Sequence, residues 1–243
     1  MNKENFEQIA KKVILNPWYR WKTRNLSVGS INFGDLRSVK PISECYGEDR
    51  GLPIDRYYIE NFLASHAEDI KGNVMEIGDS YYTDKFGGNR VKHKDIFHAV
   101  ECNPIATIVG DLTQADHISD NTFDCLILTE TLQLIYEIRQ ALQTTYRILK
   151  PGGVVLATVP GISQISDIDW GDSWYWNYTS LSMERLFAEV FLPENLQVEA
   201  YGNVLSATSF LQGLAMQELN QDELDYLDPN YELKITIRAQ KEL

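Results

Sequence analysis

Residues 123–159 constrain the fold more than any other stretch. Phe123–Thr129 reads FDCLILT, a nearly unbroken apolar run. Such a run is expected of a central parallel strand, buried on both faces. Helical spacing follows over Leu132–Leu149, with Leu132, Ile135, Ile138, Leu142, Tyr146 and Leu149 on one face. It stops at Lys150-Pro151-Gly152-Gly153, a cation at the helix end followed by residues that force a turn. Val154–Val159 is the next strand. The alternation extends in both directions. Asn73–Ile77, Asp95–Val100 and Ala106–Val109 read as strands upstream. Downstream come a helix at Met183–Phe191, a strand at Leu196–Tyr201, a helix at Ser206–Leu219 and a closing strand at Tyr231–Ala239. Strands alternating with helices predict a parallel sheet covered on both faces, and the last two strands can pair at one edge.

The 243 residues suit one large α/β domain, and 44% hydrophobic content is ample for its core. A helix is expected to open that domain near Pro53 or Asp55, where GLPIDRYYIENFL places Tyr58, Ile59, Phe62 and Leu63 at helical spacing. Residues 1–54 read as an extension packing on it: a short helix over 1–14 with Phe6, Ile9 and Val13 on one face, then an irregular lead-in rich in proline and glycine. The expected division is therefore 1–54 and 55–243.

With 35 acidic against 22 basic residues the net charge is -13, which argues against nucleic acid as the main partner. The three cysteines, Cys45, Cys102 and Cys125, are widely spaced and fit reduced thiols in a cytoplasmic protein. No apolar run approaches the length of a membrane-spanning helix. No cluster of acids and histidines has metal-ligand spacing, so no metal is expected. Oligomeric state leaves no trace in the sequence.

Four segments, in order, carry a family resemblance. They are Val74-Met75-Glu76-Ile77-Gly78, then Val109-Gly110-Asp111-Leu112, then Asn121–Leu128, then Arg147-Ile148-Leu149-Lys150-Pro151-Gly152-Gly153-Val154-Val155-Leu156. Together they resemble the class I S-adenosylmethionine-dependent methyltransferases, of the type-11 kind, with the Lys-Pro-Gly-Gly segment the most specific. The resemblance spans about residues 55–240. It implies an α/β, Rossmann-like, doubly wound and mostly parallel seven-stranded sheet with an antiparallel last strand and helices on both faces. It also implies S-adenosylmethionine lying across the carboxyl ends of the first strands. On that reading Glu76 and Gly78 sit at the amino-acid end of the cofactor, Asp111 with Leu112 at the adenine, and Thr129 and Glu130 near the methyl group and the substrate.

The sequence departs from the family twice. After Gly78 the turn reads Asp79-Ser80-Tyr81-Tyr82, where the family has further glycines that let backbone approach the ligand. Asp79 is a candidate for the cofactor's ammonium. After the second strand Glu101 is a candidate for the ribose, but Cys102-Asn103-Pro104-Ile105 leaves no room for the usual helix. Each acid has a plainer reading as a cap or brace of a turn. Catalytic candidates are Glu130, Asp169 in the aromatic and acidic segment 162–178, and Tyr57 beside Arg56; helix packing is the alternative for Tyr57. His98 reads as a packed strand histidine.

Aromatics interleaved with carboxylates suit a sugar or another polar acceptor, so the expected activity is O-methylation of a small polar or carbohydrate molecule. Similar proteins look like members of bacterial gene sets for surface sugars or secondary metabolites. The competing expectation is a methyltransferase-like binding or scaffolding subunit that no longer methylates.

Overall fold

The computed structural model describes residues 28–165 and 171–243. The chain divides into two compact units, Met1–Val39 and Lys40–Leu243. In the first, residues 28–39 are exposed and carry a 3₁₀ turn at Gly34–Leu36, whose entry is fixed by Asn32 Oδ1 accepting from the Gly34 amide at 3.0 Å. The helix expected over 1–14 lies outside the described residues.

Seven strands form one sheet in the second unit: β1 (Gly72–Ile77), β2 (Val91–His98), β3 (Ile108–Val109), β4 (Phe123–Thr129), β5 (Leu149–Pro160), β6 (Leu196–Tyr201) and β7 (Lys234–Gln240). Their order is β3-β2-β1-β4-β5-β7-β6, and β7 runs antiparallel to both of its neighbours. The expected edge pairing of the last two strands is present. The apolar run of β4 behaves as its composition requires. Leu126 and Leu128 enter one core and Cys125 and Ile127 the other, because successive side chains point to opposite faces.

Five α-helices occur among the described residues: α1 (Ile54–Ser65), α2 (Ile138–Ile148), α3 (Ser180–Phe187), α4 (Val204–Leu211) and α5 (Gln221–Asp225). Helix α1 buries Ile59, Phe62 and Leu63 against Val74, Cys125 and Ile127. On the opposite face α2 and α3 bury Ala141, Leu142, Met183 and Phe187 against Met75, Leu126 and Val155. Capping boxes at Thr179 and Asn203 fix where α3 and α4 begin, since each side chain accepts from amides that the helix leaves unpaired.

The helix expected over Leu132–Leu149 is shorter. Leu132–Leu134 is a 3₁₀ turn, α2 starts only at Ile138, and Leu149 already belongs to β5. The apolar spacing is real, but the Gln133 carbonyl is used elsewhere, accepting from the Tyr175 amide at 2.9 Å. The helix expected to reach Leu219 ends at Leu211. There Gly213 (φ +69°) passes so close to Ser43 that a Cβ would lie 2.2 Å from its carbonyl oxygen.

The most recognisable sequence segments brace the amino edge of the sheet. Asp124 Oδ2 accepts from the Asn73 amide and from Lys150 Nζ, both at 2.7 Å, and so ties β1, β4 and β5 together. Burial opposes its charge, but those two donors hold the carboxyl below its ordinary range. The Phe-Asp and Lys-Pro-Gly-Gly segments thus secure the end of the sheet remote from the strand ends that form the site.

Candidate functional site

At the carboxyl edge, the ends of β1, β2 and β4 and the segment after β3 open onto a cavity of about 850 Å³. That is within the size range of small-molecule sites. Its walls include Gly78, Asp111, Leu112, Thr129 and Glu130. Five of the site residues expected from sequence are thereby brought together.

Gly78 follows β1 at φ +86°, a conformation that favours glycine, and a Cβ built on it would meet nothing within 4 Å. Its amide donates to the Phe97 carbonyl at 2.9 Å, and its carbonyl accepts from Asn103 Nδ2 at 2.6 Å. The backbone is pinned with its open side free. Leu112 is buried, and the exposed Asp111 carboxylate accepts from the Thr113 amide at 2.8 Å.

The other expected residues lie elsewhere. Glu76 is 2% exposed and is not on the cavity wall. Its two carboxylate oxygens accept from the amides of Tyr82 (3.0 Å) and Thr83 (2.7 Å). Between β1 and β2 the chain makes only a short π-helical turn at Thr83–Gly87 and a 3₁₀ turn at Gly88–Arg90, and Glu76 satisfies the opening amides of that turn. Burial pushes its carboxyl up to about 7. Asp79 is exposed and accepts from the Tyr81 amide at 2.8 Å, a local turn closure. Glu101 is exposed and off the wall; no helix forms between β2 and β3, in keeping with the short linker. The cavity there is lined instead by His98, whose Nδ1 lies 2.8 Å from the Val100 carbonyl. Tyr57 donates to Asp225 and packs in the cluster around Tyr58 and Leu224, away from the cavity. Asp169 lies outside the described residues, as do Asp167 and Trp170.

Glu130 has the most constrained setting. It sits one residue past β4 at φ +48°, a strained conformation for a residue with a side chain. Its carboxylate accepts from Thr158 Oγ1 at 3.0 Å and lies 2.8 Å from Lys234 Nζ. The same ammonium lies 3.4 Å from Asp55 Oδ2 on α1. Lys234 is 1% exposed. Burial pushes the Glu130 carboxyl up, opposed by Lys234. Burial also opposes the charge on Lys234, but the two carboxylates outweigh it and keep the group an ammonium.

Sequence reasoning missed Asp55 and Lys234. Lys234 carried a signal, for a lysine inside the apolar run Leu233–Ile237 must find a buried partner. Asp55 carried none, being an ordinary first-turn acid of a helix.

Trp174 and Tyr175 also line the cavity. Their segment is fastened to the loop after β4: Trp176 Nε1 donates to the Ile135 carbonyl at 3.1 Å, and Tyr136 contacts both Tyr175 and Trp176 ring to ring. Tyr136 and Tyr175 remain at least half exposed. No helix among the described residues is long and apolar enough to cross a membrane, and no three potential metal ligands converge among them.

Residues 63–157 match the family model described as a methyltransferase domain. No curated protein matches the sequence. Among solved structures, an S-adenosylmethionine-dependent methyltransferase from Thermotoga maritima, described as a possible histamine N-methyltransferase, is 17% identical. The match covers 80% of this chain and 94% of that one, with a TM-score of 0.50. The [4+2]-cyclase SpnF is 14% identical over 80% of this chain and 85% of its own, also with a TM-score of 0.50. At these identities the likeness is one of fold.

Proposed function

We propose that this chain is a class I S-adenosylmethionine-dependent methyltransferase that binds S-adenosylmethionine in the carboxyl-edge cavity and methylates an oxygen of a small polar or carbohydrate acceptor. The convergence of Gly78, Asp111-Leu112 and Thr129-Glu130 on one cavity carries this reading. The donor set fits the cofactor. Gly78 leaves room for close approach, Leu112 offers an apolar wall to a base, and Asp111 keeps an exposed carboxylate for polar groups.

When bound, S-adenosylmethionine supplies an electrophilic methyl group. The protein's task is then alignment of an acceptor oxygen, because in-line displacement depends on positioning. Glu130 takes the proton of the acceptor hydroxyl. Its carboxyl, raised by burial, is a better match to a neutral working pH than an exposed glutamate. Trp174 and Tyr175 supply aromatic faces on the wall, suited to the CH face of a sugar.

A second reading has specific support. Glu76 is consumed by the turn it braces, and Asp79 and Glu101 are off the wall, so three of the expected cofactor contacts are absent from the cavity. A related fold also belongs to a protein described as a cyclase rather than a methyltransferase. One experiment separates the readings: calorimetric titration with S-adenosylmethionine and S-adenosylhomocysteine, after mass spectrometry has confirmed ligand-free protein. Binding of both supports the first reading. No binding of either rejects it and leaves a methyltransferase-like subunit that does not methylate.

A further inference from the structure

The Asp55–Lys234–Glu130 arrangement is costly to build. Replacing a buried ion network with apolar residues is often neutral or stabilising, so stability alone is a weak reason to have one. This one is placed asymmetrically. Asp55 and Glu130 lie on the cavity wall, whereas Lys234 sits behind them, 1% exposed and off the wall. Three separate elements supply it: α1, the residue after β4, and the first residue of β7. The groups facing Glu130 are Lys234 from β7, Asp55 from α1 and the Thr158 hydroxyl from β5. Arg56, Glu48 and Glu137 complete the charged groups on the cavity wall near these elements.

We propose that Lys234 is the positioning residue for Glu130, a buried ammonium that fixes the carboxylate's direction and sets its readiness to accept a proton, with Asp55 as the counterweight that shares the charge. The proposal rests on the reading of Glu130 as proton acceptor. A cation held 2.8 Å from the carboxylate favours its ionised form, against the burial that favours the neutral one. Asp55, the second carboxylate partner of the same ammonium, opposes that effect and stops Glu130 from becoming too weak a base. Fixing one oxygen on Lys234 and Thr158 leaves the other for the acceptor.

The test reads Glu130 directly and needs no acceptor. Carboxyl ¹³C NMR of glutamate-labelled protein follows its titration, and E130Q identifies the resonance by its loss. Lys234→Met is expected to raise the Glu130 midpoint by about one pH unit or more. Asp55→Asn is expected to lower it, because the ammonium is no longer shared. Shifts of opposite sign support the proposal, since contacts that do not set the protonation of Glu130 would leave its midpoint unmoved. No shift, or shifts of the same sign, overturns it. If Lys234→Met does not fold, Asp55→Asn decides alone, and an unmoved midpoint overturns the proposal. Calorimetry of the wild-type protein with S-adenosylhomocysteine runs in parallel. Failure there removes the functional reading while leaving the charge coupling readable, so the two failures are distinct.

Discussion

Gly72→Ala is a single methyl substitution at the start of β1, and the structure gives it an outsized effect. Gly72 sits at φ +68°, and a Cβ there would lie 2.3 Å from Asp124 Oδ2 and 2.6 Å from its Cγ. Alanine in this left-handed conformation costs about 1–2 kcal/mol. The methyl must also displace the Asp124 carboxylate, which holds the Asn73 amide and Lys150 Nζ at 2.7 Å each. Hydrogen bonds to charged groups contribute about 1.5–3 kcal/mol, and partial exposure puts these toward the lower end. The single substitution should therefore destabilise by about 3–4 kcal/mol in urea unfolding at neutral pH. Asp124→Ala should lose about 2–3 kcal/mol by itself. In the double variant there is no carboxylate left to displace, so Gly72→Ala then adds only its backbone strain. The double loss should fall short of the sum of the singles by about 2 kcal/mol. Additivity within about 0.5 kcal/mol would refute the claim that the methyl acts through Asp124.

Glu76 makes stability depend on pH in an unusual sense. Its folded carboxyl is raised to about 7, so between its unfolded value and pH 7 only the unfolded state gives up the proton, and stability falls as pH rises through that window. Glu76→Gln removes the effect but cannot accept from both amides, so its deficit against wild type should shrink by about 2–3 kcal/mol from pH 5 to pH 8 in urea titrations; a constant deficit would count against a buried, proton-bearing Glu76. Asp111→Ala should weaken S-adenosylhomocysteine binding by about tenfold in calorimetry, and unchanged affinity would remove Asp111 from the cofactor site. Trp176→Ala removes a hydrogen bond to Ile135 and a ring contact with Tyr136, and should speed proteolytic cleavage within residues 171–178 without lowering global stability by more than about 2 kcal/mol. An unchanged cleavage rate would show that this contact does not fasten the segment.

The sequence by itself determined the sheet. A strand buried on both faces needs an apolar run, and a helix covering it needs a stripe of period 3.6, so β4, β5 and the body of α2 were legible from local composition. The Phe-Asp and Lys-Pro-Gly-Gly segments were legible through the family resemblance, whereas their bracing of the amino ends of adjacent strands joins residues 26 and 51 positions apart and belongs to the tertiary structure. Gly78, Asp111, Leu112, Thr129 and Glu130 were legible through the family resemblance, which puts the cofactor at the strand ends, and the fold brings those ends together. The fate of Glu76 was not. Whether an acid at the end of β1 faces a ligand or braces a turn depends on whether the next residues form a full helix, and here they form a short π turn whose amides claim both oxygens. Asp55, Glu130 and Lys234 are separated by 75 residues or more, and nothing local to any of them announces the other two. Only tertiary structure brings one ammonium between two carboxylates, because burial makes an isolated charge untenable and the nearest opposite charges come from other elements.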